Sequence, residues 1–167
     1  MHSVEYEIWE YKVVMIKEII SSRNEDFTFY VQCSCGQEVI QFYYYKETNI
    51  DPKIIGIKYF GYLRDYKDSR CANFSFTEES FNQFIEATYK ALHVNIVHGA
   101  IKDEDEFLLF DKDRNNFYTL LKGRNLKSIK KGIYVWDICL REEEVSLIYD
   151  KLLEMKEVIE KCQKILF

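Results

Sequence analysis

The residues best suited to binding chemistry lie between Lys112 and Lys131. This stretch holds seven basic residues and one acid, a local charge of +6 in a chain of net charge −5, so the rest of the chain sums to −11. Aromatic residues lie within and just beyond it. Basic side chains neutralise phosphates and aromatic rings stack on bases, so the pattern predicts a site for single-stranded nucleic acid. The basic residues of this stretch are Lys112, Arg114, Lys122, Arg124, Lys127, Lys130 and Lys131. Its aromatic residues are Phe117 and Tyr118, with Tyr134 and Trp136 in the strand that follows, and Tyr118 is a candidate for base stacking.

A metal site is the second chemistry that the residue types suggest. Cys33 and Cys35 have close spacing, and His93 and His98 could supply the second pair of a tetrahedral zinc site. Two thiols at this spacing on a strand share one face, however, and beside a hairpin turn they serve equally well as small flanking residues. We therefore predict no metal. The remaining cysteines lie in apolar strand or helix patterns and are predicted to be core residues: Cys71, Cys139 and Cys162.

Catalytic motifs are not found. None of the three histidines lies in a recognisable nucleophile motif. The acidic runs at residues 104–106 and 142–144 fit a turn and a helix start, where carboxylates normally face water. The six glycines are dispersed, so no phosphate-binding loop is formed. We predict a non-enzymatic protein that needs no cofactor.

Composition restricts the class of protein. A chain of 167 residues, 47% of them apolar, suffices for one packed domain, and its 16% of aromatic residues favours strands. The first residues lack the features of a signal peptide, and the longest apolar runs, of four residues, are far shorter than a membrane span needs. Five cysteines without secretory features favour reduced thiols. These features together predict a cytoplasmic protein that does not contact membranes.

The hydrophobic pattern divides the chain into strands and two helices. Residues 4–22 fit one or two strands, and a helix over residues 8–20 fits as well. Further strands are predicted at 27–33, 38–46, 54–63, 71–76, 93–101, 106–110, 116–122 and 132–140, with a turn at 102–105. Helices are predicted at 78–92, where Thr77 is the capping residue, and at 142–166. The predicted class is α+β, with antiparallel sheets and two helices.

The two halves of the chain align at one constant offset. Phe76 aligns with Leu140 and Glu78 with Glu142, and the same offset sets residues 54–60 over 118–124. This predicts duplicated ββββα units at 27–92 and 93–167, after an N-terminal strand extension at 1–26. One helix cannot cover both faces of a four-stranded sheet, so we expect the units to pack together as an intramolecular pseudo-dimer.

Residues 122–152 resemble one class of single-stranded nucleic-acid-binding proteins, which contains positive cofactor four, the Whirly proteins and the Pur-alpha repeats. The resemblance rests on a hairpin with scattered basic residues, the basic pair Lys130–Lys131 before Gly132 and an apolar strand, and acids that open a helix. It implies binding through a curved sheet face, here that of the second unit. At the matching positions it implicates Lys122, Arg124, Lys127, Lys130, Lys131 and Trp136. The first unit has no basic pair, with Asp68-Ser69-Arg70 at the matching place.

A different class of function fits the acidic remainder of the chain. Small acidic proteins without catalytic motifs include protein-binding inhibitors and toxin-immunity proteins, whose carboxylates steer them onto basic partners. The sequence therefore leaves two partners open, single-stranded nucleic acid as the leading one and a basic protein as the alternative. The long C-terminal helix also suggests a homodimer, because its apolar stripe must lie either on a sheet or at a dimer seam.

Overall fold

In the part of the chain that the structure describes, four strands and a helix are followed by four more strands and a second helix. The computed structural model describes residues 25–33, 37–61, 72–94, 101–103, 106–112, 117–124, 127 and 130–165. Within them the elements are β1 Phe27–Gln32, β2 Val39–Tyr45, β3 Ile54–Phe60, β4 Asn73–Phe76, α1 Glu78–His93, β5 Ile101–Asp103, β6 Glu106–Lys112, β7 Tyr118–Gly123, β8 Trp136–Leu140 and α2 Glu142–Ile165. The predicted N-terminal extension lies outside these residues except for Glu25 and Asp26.

The strands form two separate antiparallel sheets, β1-β2-β3-β4 and β5-β6-β7-β8. In both sheets each strand pairs with its neighbour in the chain, as expected when the connections are short. Alternation of apolar residues directs one face of each sheet to a shared core, with Ile55, Ile57 and Tyr59 of β3 as an example. The α+β class, with antiparallel sheets and two helices, is confirmed.

Two strand predictions require correction. The strand expected at 132–140 begins only at Trp136, because Gly132 has φ +76° in a turn that precedes it. The predicted turn at 102–105 is wrong for Lys102 and Asp103, which pair with Phe107 and Glu106 as part of β5. Helix α1 also runs to His93, where the next strand had been predicted to begin. The part of that predicted strand at 95–100 lies outside the described residues.

Each helix packs on the sheet of the other half of the chain. Helix α1 contacts β5 and β6, and α2 contacts β1. On α1, Phe84 stacks on Phe110 of β6 with the ring centroids 5.4 Å apart, and also on Phe42 of β2 at 5.9 Å. Full burial of such a side chain stabilises a fold by about 1.5–3 kcal/mol. The two halves therefore share one core.

The apolar stripe of α2 is used inside the chain. Val145, Ile148, Leu152 and Met155 are fully buried. Because this stripe lies on the sheet, it cannot also form a dimer seam. A homodimer through the helix stays a prediction that would have to use its outer face.

The sheet register refines the offset between the two halves. The helices begin at Glu78 and Glu142, and β4 and β8 end at Phe76 and Leu140, so the predicted offset holds there. Between β3 and β7 the offset is smaller by one. Phe74 and Ile138 match at the predicted offset, but their pairing partners, Ile57 and Leu120, lie one position closer to each other in the chain. Lys122 therefore matches Tyr59, which faces the core, and not Lys58, which faces away from it. A shift of one position moves a side chain to the opposite face of a sheet.

Thr77 provides the first testable prediction. Its side chain accepts a hydrogen bond from the Ser80 backbone N–H at 3.0 Å, and Ser80 Oγ accepts one from the Thr77 N–H at 2.8 Å. This reciprocal cap satisfies two donors at the start of α1. Thr77→Ala should lower the free energy of unfolding by about 1 kcal/mol, whereas Thr77→Ser should keep most of it. Urea unfolding followed by circular dichroism measures both, and equal stability of the two variants would contradict this role.

Candidate functional site

The exposed basic residues lie in the connection between β7 and β8. We call the described residues Arg124, Lys127, Lys130 and Lys131 the basic loop. Arg124, Lys127, Lys130 and Lys131 are all exposed, and the Lys131 N–H donates to the Lys127 carbonyl at 3.2 Å, which closes a helical turn. The connection is anchored at its far end, where the Val135 N–H donates to the Lys122 carbonyl at 2.7 Å.

The three lysines of the basic loop lie close together. Spacings of three and four residues put Lys127 with Lys130 and Lys131 on one side of a helical turn, where like charges repel one another by a few tenths of a kcal/mol. In the part of the chain that the structure describes, none of these lysines forms an ion pair. A group of unpaired ammonium ions attracts an anion with several negative charges, and phosphates are such anions.

Trp136 and Tyr118 do not lie on a surface, which corrects their predicted role. Both side chains are fully buried, and the Trp136 ring stacks on Tyr59 of the other sheet, with centroids 5.0 Å apart and planes within 3°. Large aromatic rings contribute most to stability when they are fully covered. The rings expected to stack on bases are therefore core residues in this structure.

Lys122 is also buried, so its predicted exposure on the sheet face is wrong. Its side chain is 0% exposed and its Nζ donates a hydrogen bond to the Asn73 carbonyl of β4. A buried ammonium needs oxygen acceptors, because its loss of hydration is otherwise too costly. Lys122 thus connects the second sheet to the first and is a structural cation.

An interleaving of aromatic and basic residues does occur on a sheet face, but on the first sheet. Tyr30, Tyr43 and Lys58 lie on the face of that sheet opposite the core. Burial raises the pKa of Tyr43 to about 12 and lowers the pKa of Lys58, and Gln41 Nε2 donates to the Tyr30 hydroxyl at 3.2 Å. Only 7% of Tyr43 and none of Gln41 is exposed, so this face offers no open platform for bases.

Two accessible apolar side chains lie beside the basic loop. The sequence reasoning missed Ile133 and named Tyr134 only as an aromatic residue of the strand that follows. Ile133 is 59% exposed, directly after the left-handed Gly132, and Tyr134 is half-buried. The sequence signal was Gly132, which ends the run of basic residues before the strand begins at Trp136. Because we expected the strand to begin at Gly132, these residues were assigned to it.

A groove with the opposite charge lies at the junction of the two helices. It is formed by the C-terminus of α1 and the N-terminus of α2, encloses about 640 Å³, and is lined by Leu92, His93, Glu142, Glu143, Ser146, Leu147, Tyr149 and Asp150. Its lining combines the carboxylates of Glu142, Glu143 and Asp150 with the apolar side chains of Leu92 and Leu147, which we call the apolar floor. The sequence reasoning assigned Glu142 and Glu143 to a helix start and did not single out Asp150.

Metal ligation has no support in the described part of the chain, where no three His, Cys, Asp or Glu side chains are grouped around a common point. Cys33 Sγ donates to the Cys139 carbonyl at 2.9 Å, and the ring of His93 lies 4.5 Å from that of Tyr89. Cys35 and His98 lie outside the described residues. None of the helices described is long and apolar enough to cross a membrane.

Comparison with family models and with curated proteins bears on the predicted resemblance. No model of a known protein family matches the chain, and neither does any curated protein sequence. The resemblance of residues 122–152 to the positive-cofactor-four class thus stays a prediction, and the function has to be inferred from surface geometry and charge.

Proposed function

We propose that this protein is a non-enzymatic module that binds single-stranded nucleic acid through the basic loop. The observation that carries the proposal is the exposed group of Lys127, Lys130 and Lys131 together with Arg124. No acidic residue interrupts residues 123–133, although the chain as a whole is acidic. A concentration of positive charge against the net charge of a protein favours a polyanionic partner.

The contacts in this proposal are made mainly to the backbone of the strand. Three or four neutralised phosphates give a slope of log K against log salt of about −2 to −3 for a single strand. Since Trp136 and Tyr118 are buried, the apolar side chains available to unstacked bases beside the loop are Ile133 and Tyr134. A duplex keeps its bases stacked and cannot use them, which favours the single strand. Affinity should be modest and sequence preference weak.

The proposal includes a duplicated ββββα architecture. Support comes from the repeated order of elements, from the nearly constant offset between the last two strands and the helix of each half, and from the packing of each helix on the other half. Two units that exchange helices bury faces that neither could cover alone. The resemblance to the positive-cofactor-four class implies such an arrangement.

Charge reversal in the basic loop tests the proposed function. Lys130→Glu with Lys131→Glu should weaken binding of a 20-nucleotide oligo-dT by tenfold or more at about 50 mM salt. The slope of log K against log salt should become less negative by about 1.4, because two phosphate contacts are lost. Fluorescence anisotropy measures the affinity. The unfolding free energy should change by less than about 0.5 kcal/mol, because both side chains are exposed.

A matched control makes the same charge change elsewhere. Lys90 and Lys161 are exposed on α1 and α2, and Lys90→Glu with Lys161→Glu should leave binding nearly unchanged. If the control variant binds oligo-dT as weakly as the Lys130/Lys131 variant, binding depends on the net charge of the protein and not on the basic loop. The proposal fails if neither single nor double strands bind the wild-type protein at about 50 mM salt. Unfolding of the Lys130/Lys131 variant would show instead that these lysines are structural.

The alternative function, binding of a basic protein, is favoured by a separate observation. The groove between the helices has carboxylates and an apolar floor, and it lies on elements other than the basic loop. The two functions would therefore use different surfaces, and each can be tested without disturbing the other.

A further inference from the structure

The groove at the α1–α2 junction carries negative charge that the described residues do not neutralise. Glu142, Glu143 and Asp150 are exposed, and within the described part of the chain none of them forms an ion pair. The N-terminus of α2 contributes only about half a positive charge, against three carboxylates. The C-terminus of α1 adds partial negative charge to the same groove. The electrostatic potential there favours a cation.

The groove also offers apolar surface beside these carboxylates. Leu147 is 47% exposed and Leu92 is half-buried, so both can be covered further. A side chain that combines an aliphatic stem with a cationic head matches such a surface, because the stem lies on the apolar floor while the head reaches the carboxylates. Lysine and arginine are the residues with this form.

At the opposite end of the α1–α2 pair, lysines of the chain itself lie beside the acidic start of α1. Glu78 begins α1 as Glu142 begins α2, and Lys53 of the chain itself forms an ion pair with Glu78. The cavity there encloses only about 90 Å³, with Lys156 also in its lining. At that end the chain supplies its own ammonium groups. At the larger groove, His93 is the only one of the described lining residues that can become cationic.

We propose that the groove between Leu92 and Leu147 binds a lysine or arginine side chain of a partner protein, presented on a segment with a neighbouring apolar residue. The partner is basic. Its cation would lie beside Glu142 as Lys53 lies beside Glu78, because no lysine or arginine is among the described residues that line this groove. This inference rests on the alternative function, the binding of a basic protein, and not on the nucleic-acid proposal, since the basic loop takes no part in it. It gives the acidic surface of the chain a specific contact point.

The probe for this proposal is the synthetic nonapeptide RLRRLRRLR, with ELEELEELE as its charge-reversed counterpart. Titration of the ¹⁵N-labelled protein at about 0.1 M salt should shift the amide signals of Leu92, His93, Ser146 and Leu147 with the arginine peptide and not with the glutamate peptide. Glu142→Gln with Glu143→Gln should weaken binding about tenfold, since two charged acceptors are lost. Leu147→Arg, which places a cation in the groove, should weaken it at least as much.

A matched control lies on the same helix. Glu154→Gln with Glu157→Gln makes the same change of charge at exposed positions that do not line the groove, and should alter binding less than about twofold. Equal weakening in this control, or signal shifts spread over the acidic surface, would overturn the proposal. Absence of binding at about 0.1 M salt would also overturn it. So would self-association of the peptide-free protein that Glu142→Gln with Glu143→Gln abolishes, because the occupant would then be a second copy of this chain.

The nucleic-acid and peptide experiments are independent. The Lys130/Lys131 variant should bind the arginine peptide at least as well as the wild-type protein, because the variant is more negative by four charges. The Glu142/Glu143 variant should still bind oligo-dT. Failure of one interaction with retention of the other identifies which surface has been misassigned.

Discussion

Trp136→Ala is expected to lower the free energy of unfolding by about 3–5 kcal/mol, a large part of the stability of an ordinary domain. The indole is fully buried and lies parallel to the ring of Tyr59, which belongs to the other sheet. Removing it leaves a cavity at the junction of the two sheets, where both sides lose contacts. Urea unfolding followed by far-ultraviolet circular dichroism measures the loss.

Two companion variants separate this structural role from a role in binding. Trp136→Phe keeps most of the ring and removes the Nε1 donor, which has no hydrogen-bond acceptor among the described residues, so it should cost much less than the alanine variant. Ile133→Ala removes an exposed side chain and should change stability by less than about 0.5 kcal/mol. If Trp136→Phe lowers oligo-dT affinity as strongly as Lys130→Glu with Lys131→Glu, the ring contacts nucleic acid after all.

Lys122→Glu is expected to destabilise the protein by about 3–5 kcal/mol, because it places a carboxylate against the Asn73 carbonyl in a site closed to water. A negative charge there has lost its hydration and faces an acceptor in place of a donor. Lys122→Met should be much milder. It leaves the Asn73 carbonyl without this donor, but it also removes the cost of burying a charge.

The lysine variants also give opposite expectations for binding. Lys122→Met should leave oligo-dT affinity within about twofold of wild type, whereas charge reversal at Lys130 and Lys131 should not. Lys122 therefore serves as a buried control for exposed lysines a few residues along the chain. Normal stability with lost binding in Lys122→Met would contradict the assignment of Lys122 to the structure.

The helices were predicted well because their signals are local. The capping hydroxyl of Thr77 and the apolar periodicity after it fixed α1 to within one residue of its C-terminus. The same holds for α2, which begins at Glu142 as expected. The exposure of the basic loop also follows from composition, since four cations near one another cannot be buried without partners.

The candidate site was predicted only in part because strand faces depend on register. The offset that aligns the two helices would place Lys122 over Lys58, facing outward. Pairing of β7 with β8 makes the offset smaller by one in these strands and turns Lys122 inward beside Trp136. No local property of Lys122 distinguishes these two cases. Strand pairing decides the face for every residue of β7 at once.

Periodicity, capping residues and charge act over a few neighbouring residues, so the α+β class, the helix positions and the presence of a basic segment could be predicted from local patterns. Which of the basic and aromatic residues reach solvent depends on long-range packing. Packing of the two sheets buries Tyr118, Lys122 and Trp136 and leaves Arg124, Lys127, Lys130 and Lys131 exposed. The approach of α1 to α2 creates the acidic groove from residues far apart in the chain, which no local pattern indicates.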